Sequence, residues 1–229
     1  MDRSALAVNF ATQRARTKYP QLTVETTALP EQVSGGTLLI SHVLTELTQE
    51  QTETLAALAA TAECVVWVEP GTYEASLTLI AVRERLRNQF QLVAPCTHQE
   101  RCGILAPQNE RHWCHHFANP PAEIFTDSNW ARFANLFGID LRDLPLSFLV
   151  LDKRPMPASP ENAARLIGHP RLYKGYAMLL GCNATGVSEQ RLAQRAFPSE
   201  YKGFKKGRHP SLCQWQCAKG EIQAYQPLD

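Results

Sequence analysis

Between residues 37 and 94 short apolar runs alternate with longer stretches of helical spacing, and no other feature of this chain restricts its fold as strongly. Thr37 to Ser41 and Cys64 to Glu69 are continuous β-rich runs, the pattern of strands buried on both faces of a parallel sheet. Between them, Glu46 to Ala62 is rich in Leu, Ala and Glu. Tyr73 to Asn88 then sets Leu77, Ile80, Ala81 and Leu86 against arginines in a helical pattern. A further run, Gln91 to Ala94, leads directly into Pro95 and Cys96. This alternation predicts an α/β fold built on a doubly wound sheet. Gln21 to Val24, Ser147 to Leu151 and Tyr173 to Leu180 are further candidate strands, and Ser4 to Tyr19 reads as a helix stopped by Pro20.

Residues 96 to 146 break the alternation. They hold three cysteines, four histidines, two tryptophans and prolines at 107, 120, 121 and 145, too irregular for a regular layer and suited to a loop-rich insertion tied by a ligand. The expected organisation is therefore a core over residues 1–95, the Cys/His-rich insertion over 96–146, final core strands over 147–182 and a C-terminal extension over 183–229.

Composition narrows the function classes. No run of about eighteen apolar residues occurs, so no membrane span is indicated, and the amino terminus lacks the order of a secretory signal. With a reducing compartment implied, the seven cysteines read as buried thiols or metal ligands instead of disulfides. The net charge of +1 conceals an asymmetry: residues 1–164 carry 13 basic and 18 acidic side chains, residues 165–229 carry 10 and 4. A basic end of this kind points to an anionic partner, RNA above all; a merely solvated surface is the alternative.

Three cysteines fall in Ala94-Pro95-Cys96-Thr97-His98-Gln99-Glu100-Arg101-Cys102 and Trp113-Cys114-His115-His116-Phe117. Thiolates bind zinc or iron–sulfur clusters strongly, and a turn-rich loop can gather several without breaking a sheet. The spacing is not that of a standard zinc finger, and unligated structural thiols remain an alternative. His98, His112, His115 and His116 are candidate ligands or donors to sulfur. Cys213 and Cys217 lack a neighbouring partner pair, and Cys64, at the start of an apolar strand, reads as core.

APCTHQERC followed by WCHHF resembles the cysteine pattern of the methyltransferase-like proteins associated with the mitochondrial small ribosomal subunit, a family with bacterial members. LLISHVLTEL at 38–47, VVWVEPGT at 65–72, SFLVLDKRP at 147–155 and HPRLYKGYAMLLGC at 169–182 agree, so the resemblance spans nearly the whole chain. It implies a four-iron, four-sulfur cluster held by Cys96, Cys102, Cys114 and Cys182, with zinc as the alternative occupant. The interval between Cys102 and Cys114 exceeds the family's, so either the loop bulges or a histidine replaces Cys114.

The resemblance also implies a Rossmann-like class I methyltransferase sheet, in which S-adenosylmethionine lies across the carboxyl ends of the strands. By motif position Asp2, His42, Glu46 and Glu69 would line that crevice, each with an alternative in ordinary strand-end turn chemistry. No glycine-rich loop precedes Asp2, so the chain reads as amino-terminally truncated relative to the family and its donor binding is in doubt. Lys202, Lys205, Lys206 and Arg208, interleaved with Phe197, Tyr201, Phe204 and Trp215, are candidate RNA contacts, unless the aromatics simply close a small β lobe. The implied function is an RNA-binding protein of the small ribosomal subunit acting in its assembly or in translation, with no DNA or membrane partner. An active rRNA methyltransferase and a zinc-stabilised binding module are the rivals. The implied compartment is the bacterial cytoplasm, or the mitochondrion as the alternative.

Overall fold

The computed structural model describes residues 4–157 and 159–228. Helix α1 (Ala5–Lys18) is capped by the Ser4 side chain and buries no residue. Residues 21–24 are not a strand, because that short run has no neighbour to pair with, and the first strand is β1 (Thr37–Ser41). Helix α2 (Gln49–Ala59) begins in a capping box between Thr48 and Gln51, and β2 (Cys64–Pro70) follows it. Helix α3 (Tyr73–Leu86), capped by Thr72, leads into β3 (Gln91–Ala94).

The first sheet is ordered β1-β2-β5-β3, where β5 spans Pro145–Asp152 and the short β4 (His116–Phe117) also pairs with β5. β1 and β2 are parallel, whereas β5 runs antiparallel to both β2 and β3. The three early strands therefore share one direction, and β5 is slotted between them in reverse. Leu149 and Leu151 of β5 join Val65, Trp67, Leu79, Val82 and Leu86 in the core of this layer. Between β4 and β5, α4 (Glu123–Thr126) and α5 (Ser128–Phe137) bury nothing.

The chain then leaves the first sheet. β6 (Ala163–Tyr173), β7 (Tyr176–Asn183), β8 (Gly186–Ala193), β9 (Leu212–Ala218) and β10 (Glu221–Pro227) close a barrel in the order β6-β7-β8-β10-β9. The run at 173–180, expected among the final core strands, thus belongs to β6 and β7 of the barrel. Residues 183–229 are not a separate extension, since β8, β9 and β10 close the same barrel. β8 and β10 are parallel and the other pairs antiparallel, with helix α6 (Pro198–Phe204) between the third and fourth barrel strands. This order and helix placement are those of the oligonucleotide/oligosaccharide-binding barrel. Tyr201, Phe204 and Trp215 fill its interior with Leu166, Leu179, Leu192 and Ile222. Those aromatics close a β lobe and are unavailable to stack on bases.

Candidate metal centre

The four cysteines reach one place from four segments. Cys96 follows β3, Cys102 precedes the 3-10 turn Gly103–Leu105, Cys114 precedes β4, and Cys182 lies on β7. Where the sheet layer abuts the barrel, Cys102 and Cys182 are buried with Ile80, Ile104, Ile167 and Val187, and Cys114 packs against this group; Cys96, packed against the sheet core, is close enough to interact electrostatically with the other three. The long interval after Cys102 is folded up by that turn and a second one, Pro107–Asn109. Buried Asn109 ties the interval down, its side-chain amide donating to the Gly103 and Val187 carbonyls at 2.8 and 3.1 Å. Gly103 is required here, because a Cβ would lie 2.6 Å from the Val187 backbone nitrogen.

Side chains of the layer hold Cys114 by its backbone. The hydroxyl of Ser76 donates to its carbonyl at 2.9 Å and accepts from its amide at 3.0 Å, and Ser147 donates to the same carbonyl at 2.6 Å. Thr97 and Arg165 link the Cys96 segment to the barrel, through the Ala163 and Pro95 carbonyls. Buried Arg83 points its Nε at the Cys96 sulfur, 3.2 Å away, and a terminal nitrogen at the Glu100 carbonyl, 2.8 Å away. Its partner Glu84 accepts from the Cys102 amide at 3.0 Å.

The electrostatics reflect this crowding. Burial first, and then the charge that Cys96, Cys182 and Cys102 would carry, pushes the Cys114 thiol well above its usual range. Burial, followed by Cys96 and Cys102, pushes Cys182 up to about 12. Burial also raises Cys102, against a lowering hydrogen bond at Ile104. Thiolates are therefore costly at this junction unless a cation offsets them, which is what a metal centre supplies.

Two of the four candidate histidines touch thiols: Nε2 of His98 lies 3.5 Å from the Cys182 sulfur and that of His116 3.4 Å from Cys114. The buried Nδ1 of His98 has no hydrogen-bond partner. Burial, then Arg165 and His115, pushes His116 down to about 3, so it is neutral at physiological pH. His115 stacks on Trp113, and His112 faces Glu189. Among the described residues, no three His, Cys, Asp or Glu side chains close on one point as a single metal ion requires. Cys213 is buried in the barrel and Cys217 is exposed.

The expected donor crevice looks different. Asp2 lies outside the described residues. His42 and Glu46 are exposed after β1, His42 with a positive φ of 55°. Glu69 faces no open crevice. It is fully buried, accepting from Trp67 Nε1 at 2.7 Å and from the Val43 and Leu44 amides at 3.1 and 3.2 Å, so it pins the loop after β1 to the end of β2. At that end Gly71 lets β5 approach: a Cβ would lie 2.6 Å from Pro145. A mostly apolar cleft of about 980 Å³ runs instead along the outer edge of β1, between α1 and α2. Glu69→Ala would leave two buried N–H groups, those of Leu44 and the Trp67 ring, and the part-buried Val43 amide without acceptors, so we expect a loss of about 3–5 kcal/mol in denaturant unfolding. A loss under about 1 kcal/mol would refute this anchoring role.

The family model described as Mitochondrial small ribosomal subunit Rsm22 matches residues 5–211. The chain belongs to that family. Membership in the Rsm22 family associates it with the small ribosomal subunit, and the mitochondrial description fits the second of the two compartments considered above. The match takes in all four junction cysteines and stops before β9. No curated protein matches the chain. Among the described residues no helix is long and apolar enough to cross a membrane.

Arg83, Glu84, Ser76, Ser147 and Asn109 went unnoticed in the sequence. Each acts through a partner between 6 and 78 residues away or through a main-chain group, except for the Arg83–Glu84 pair itself. The one available signal was Arg83 and Ser76 interrupting the apolar side of a helix.

Proposed function

We propose that this Rsm22-family chain is an RNA-binding protein of the small ribosomal subunit, acting in its assembly or in translation. We further propose that Cys96, Cys102, Cys114 and Cys182 hold a four-iron, four-sulfur cluster that locks its sheet to its barrel. The gathering of four thiols from four separate segments, beside a buried arginine, carries this reading. Zinc is the alternative occupant. The parallel β1-α2-β2 unit, with β5 inserted in reverse, supports reading the sheet as methyltransferase-type. Glu69, committed inside the protein, would take no part in holding a methyl donor.

Lys202, Lys205, Lys206 and Arg208 are all exposed on α6 and the turn after it, so they remain candidate phosphate contacts. Co-sedimentation with purified small subunits over a salt series tests the reading. We expect association that weakens steeply as salt rises. Failure to co-sediment at low salt would reject a role on the subunit.

A further inference from the structure

The barrel offers a surface with better chemistry for RNA than α6. We infer that unpaired RNA binds the outer face of β6, β7 and β8, with a base stacking on the open face of the Tyr173–Tyr176 ring pair; this rests on the RNA-binding reading above.

Tyr173 and Tyr176 flank the two-residue turn between β6 and β7 and are paired across the strands. Their rings stack with centroids 4.9 Å apart and planes 11° from parallel, and Tyr173 keeps 43% of its surface exposed. The guanidinium of Arg191 lies 4.7 Å above the Tyr176 ring, making a mixed aromatic and cationic platform. Tyr201 fixes the turn from inside, its hydroxyl donating to the Tyr173 carbonyl at 2.6 Å. Beside the platform an open hollow of about 540 Å³ is lined by Gly175, Arg191, Gln194 and Arg195.

Register explains why this half of the face is free. Residues 176, 178, 180 and 182 alternate to one side of β7, with Arg191 opposite Met178 and Val187 opposite Cys182. The Cys182 end is covered by the thiol junction, and the Tyr176 end is not. Lys174, Arg171, Arg191 and Arg195 gather around it, against Glu189, which pairs with Arg171, and Glu221, which pairs with Arg191. Cations outnumber acids, so a polyanion is favoured over the neutral oligosaccharides that barrels of this type also take. Flat rings need exposed base faces, which a duplex hides. In this barrel order the second and third strands and the first hairpin turn are the usual seat of an oligonucleotide.

The test uses the full chain and a labelled twelve-nucleotide uridine RNA. Tyr173→Ala with Tyr176→Ala is expected to weaken binding at least about fivefold, the low end for one base stacked on the ring pair, without changing the salt slope. The paired Tyr→Phe changes should keep affinity within about threefold, since the rings remain. Changing Lys202, Lys205, Lys206 and Arg208 to Ala serves as the comparison, with a slope flatter by up to about 3 if all four touch phosphates. Should the Ala pair fold poorly, photocrosslinking of thiouridine RNA to the unmodified protein replaces it, with adducts expected at 171–176 and 191–195. Wild-type affinity in the Ala pair with loss in the α6 variant, or adducts confined to 202–208, would overturn this face while leaving RNA binding intact. Absence of any binding by the unmodified protein at low salt would overturn both.

Discussion

Protein purified without oxygen is expected to be brown, to contain iron and sulfide, and to lose both when Cys182 is changed to Ser. Cys182 is the informative position because it alone of the four sits within a long paired strand, hydrogen-bonded to β6 and β8 on either side. Ser at that site should leave the barrel folded and remove one proposed ligand, whereas Ser at 96, 102 or 114 changes a loop whose own order would depend on the proposed centre. Cys102 and Cys114 would then sit against Ile80, Ile104 and Ile167 with no cation to offset thiolate charge, and burial raises both thiols, so the site should bind iron poorly. Residues 96–117 have short turns and one two-residue strand, and most of their anchoring comes from side chains around the thiols. Structural metal sites contribute about 10 kcal/mol or more to the segments they organise, so loss of the centre should open this segment to proteases. Cys217→Ser, at an exposed position on β9, should change neither metal content nor cleavage. Stoichiometric zinc and no colour would reject the cluster while keeping the four ligands. A metal-free protein from anaerobic preparation would reject the centre altogether.

The elements of the sheet layer were legible because burial on both faces imposes a continuous apolar run. Cys64 to Pro70, Leu149 and Leu151 sit where that logic puts them. The pairing was not legible. Nothing in Ser147 to Leu151 says that this run enters antiparallel between β2 and β3, since strand direction is set by the path of the connection and not by composition. The barrel was missed for a related reason. Its strands carry Arg, Glu, Gln and Ser on the outer face, so β8 and β9 lack an apolar run, and Tyr173 to Leu180 was visible only because a tight turn joins two strands into one apolar stretch. At the candidate site, chemistry and resemblance single out the cysteines, because both depend on residue type. The sequence puts Glu69 at a strand end, but its burial depends on Trp67 and the Val43 loop turning back over it. The aromatics near the basic residues divided by side-chain direction: Tyr201 and Phe204 face inward, while the pair at 173 and 176 faces out.

Replacing Arg83 by Met is expected to lower iron content and to destabilise the protein by about 3–5 kcal/mol, the cost of breaking one side of a buried charged network. Arg83 is 3% exposed, and burial alone would disfavour its charge; Cys96, Cys102 and Glu84 outweigh that, so its pKa is raised. Met fills much of the same volume without a donor. The Glu100 carbonyl and the Cys96 sulfur would lose their hydrogen bonds, and Glu84 would keep only Arg87 and the Cys102 amide as partners. For a chain of this size the loss corresponds to a fall of roughly 10 °C in melting temperature. Two further variants separate positioning from packing. Arg83→Lys keeps the stem and the charge but not the planar fork, so it should recover packing and only part of the iron, because one ammonium cannot face both Cys96 and the Glu100 carbonyl in fixed geometry. Arg83→Met combined with Glu84→Gln should be less destabilised than Arg83→Met alone, since the uncompensated carboxylate is gone. The decisive readout is iron retained per folded chain after brief chelation. If Arg83→Met holds iron as tightly as the unmodified protein, the arginine merely fills space between α3 and the Cys96 loop, and the positive charge at the junction has no part in stabilising the thiolates.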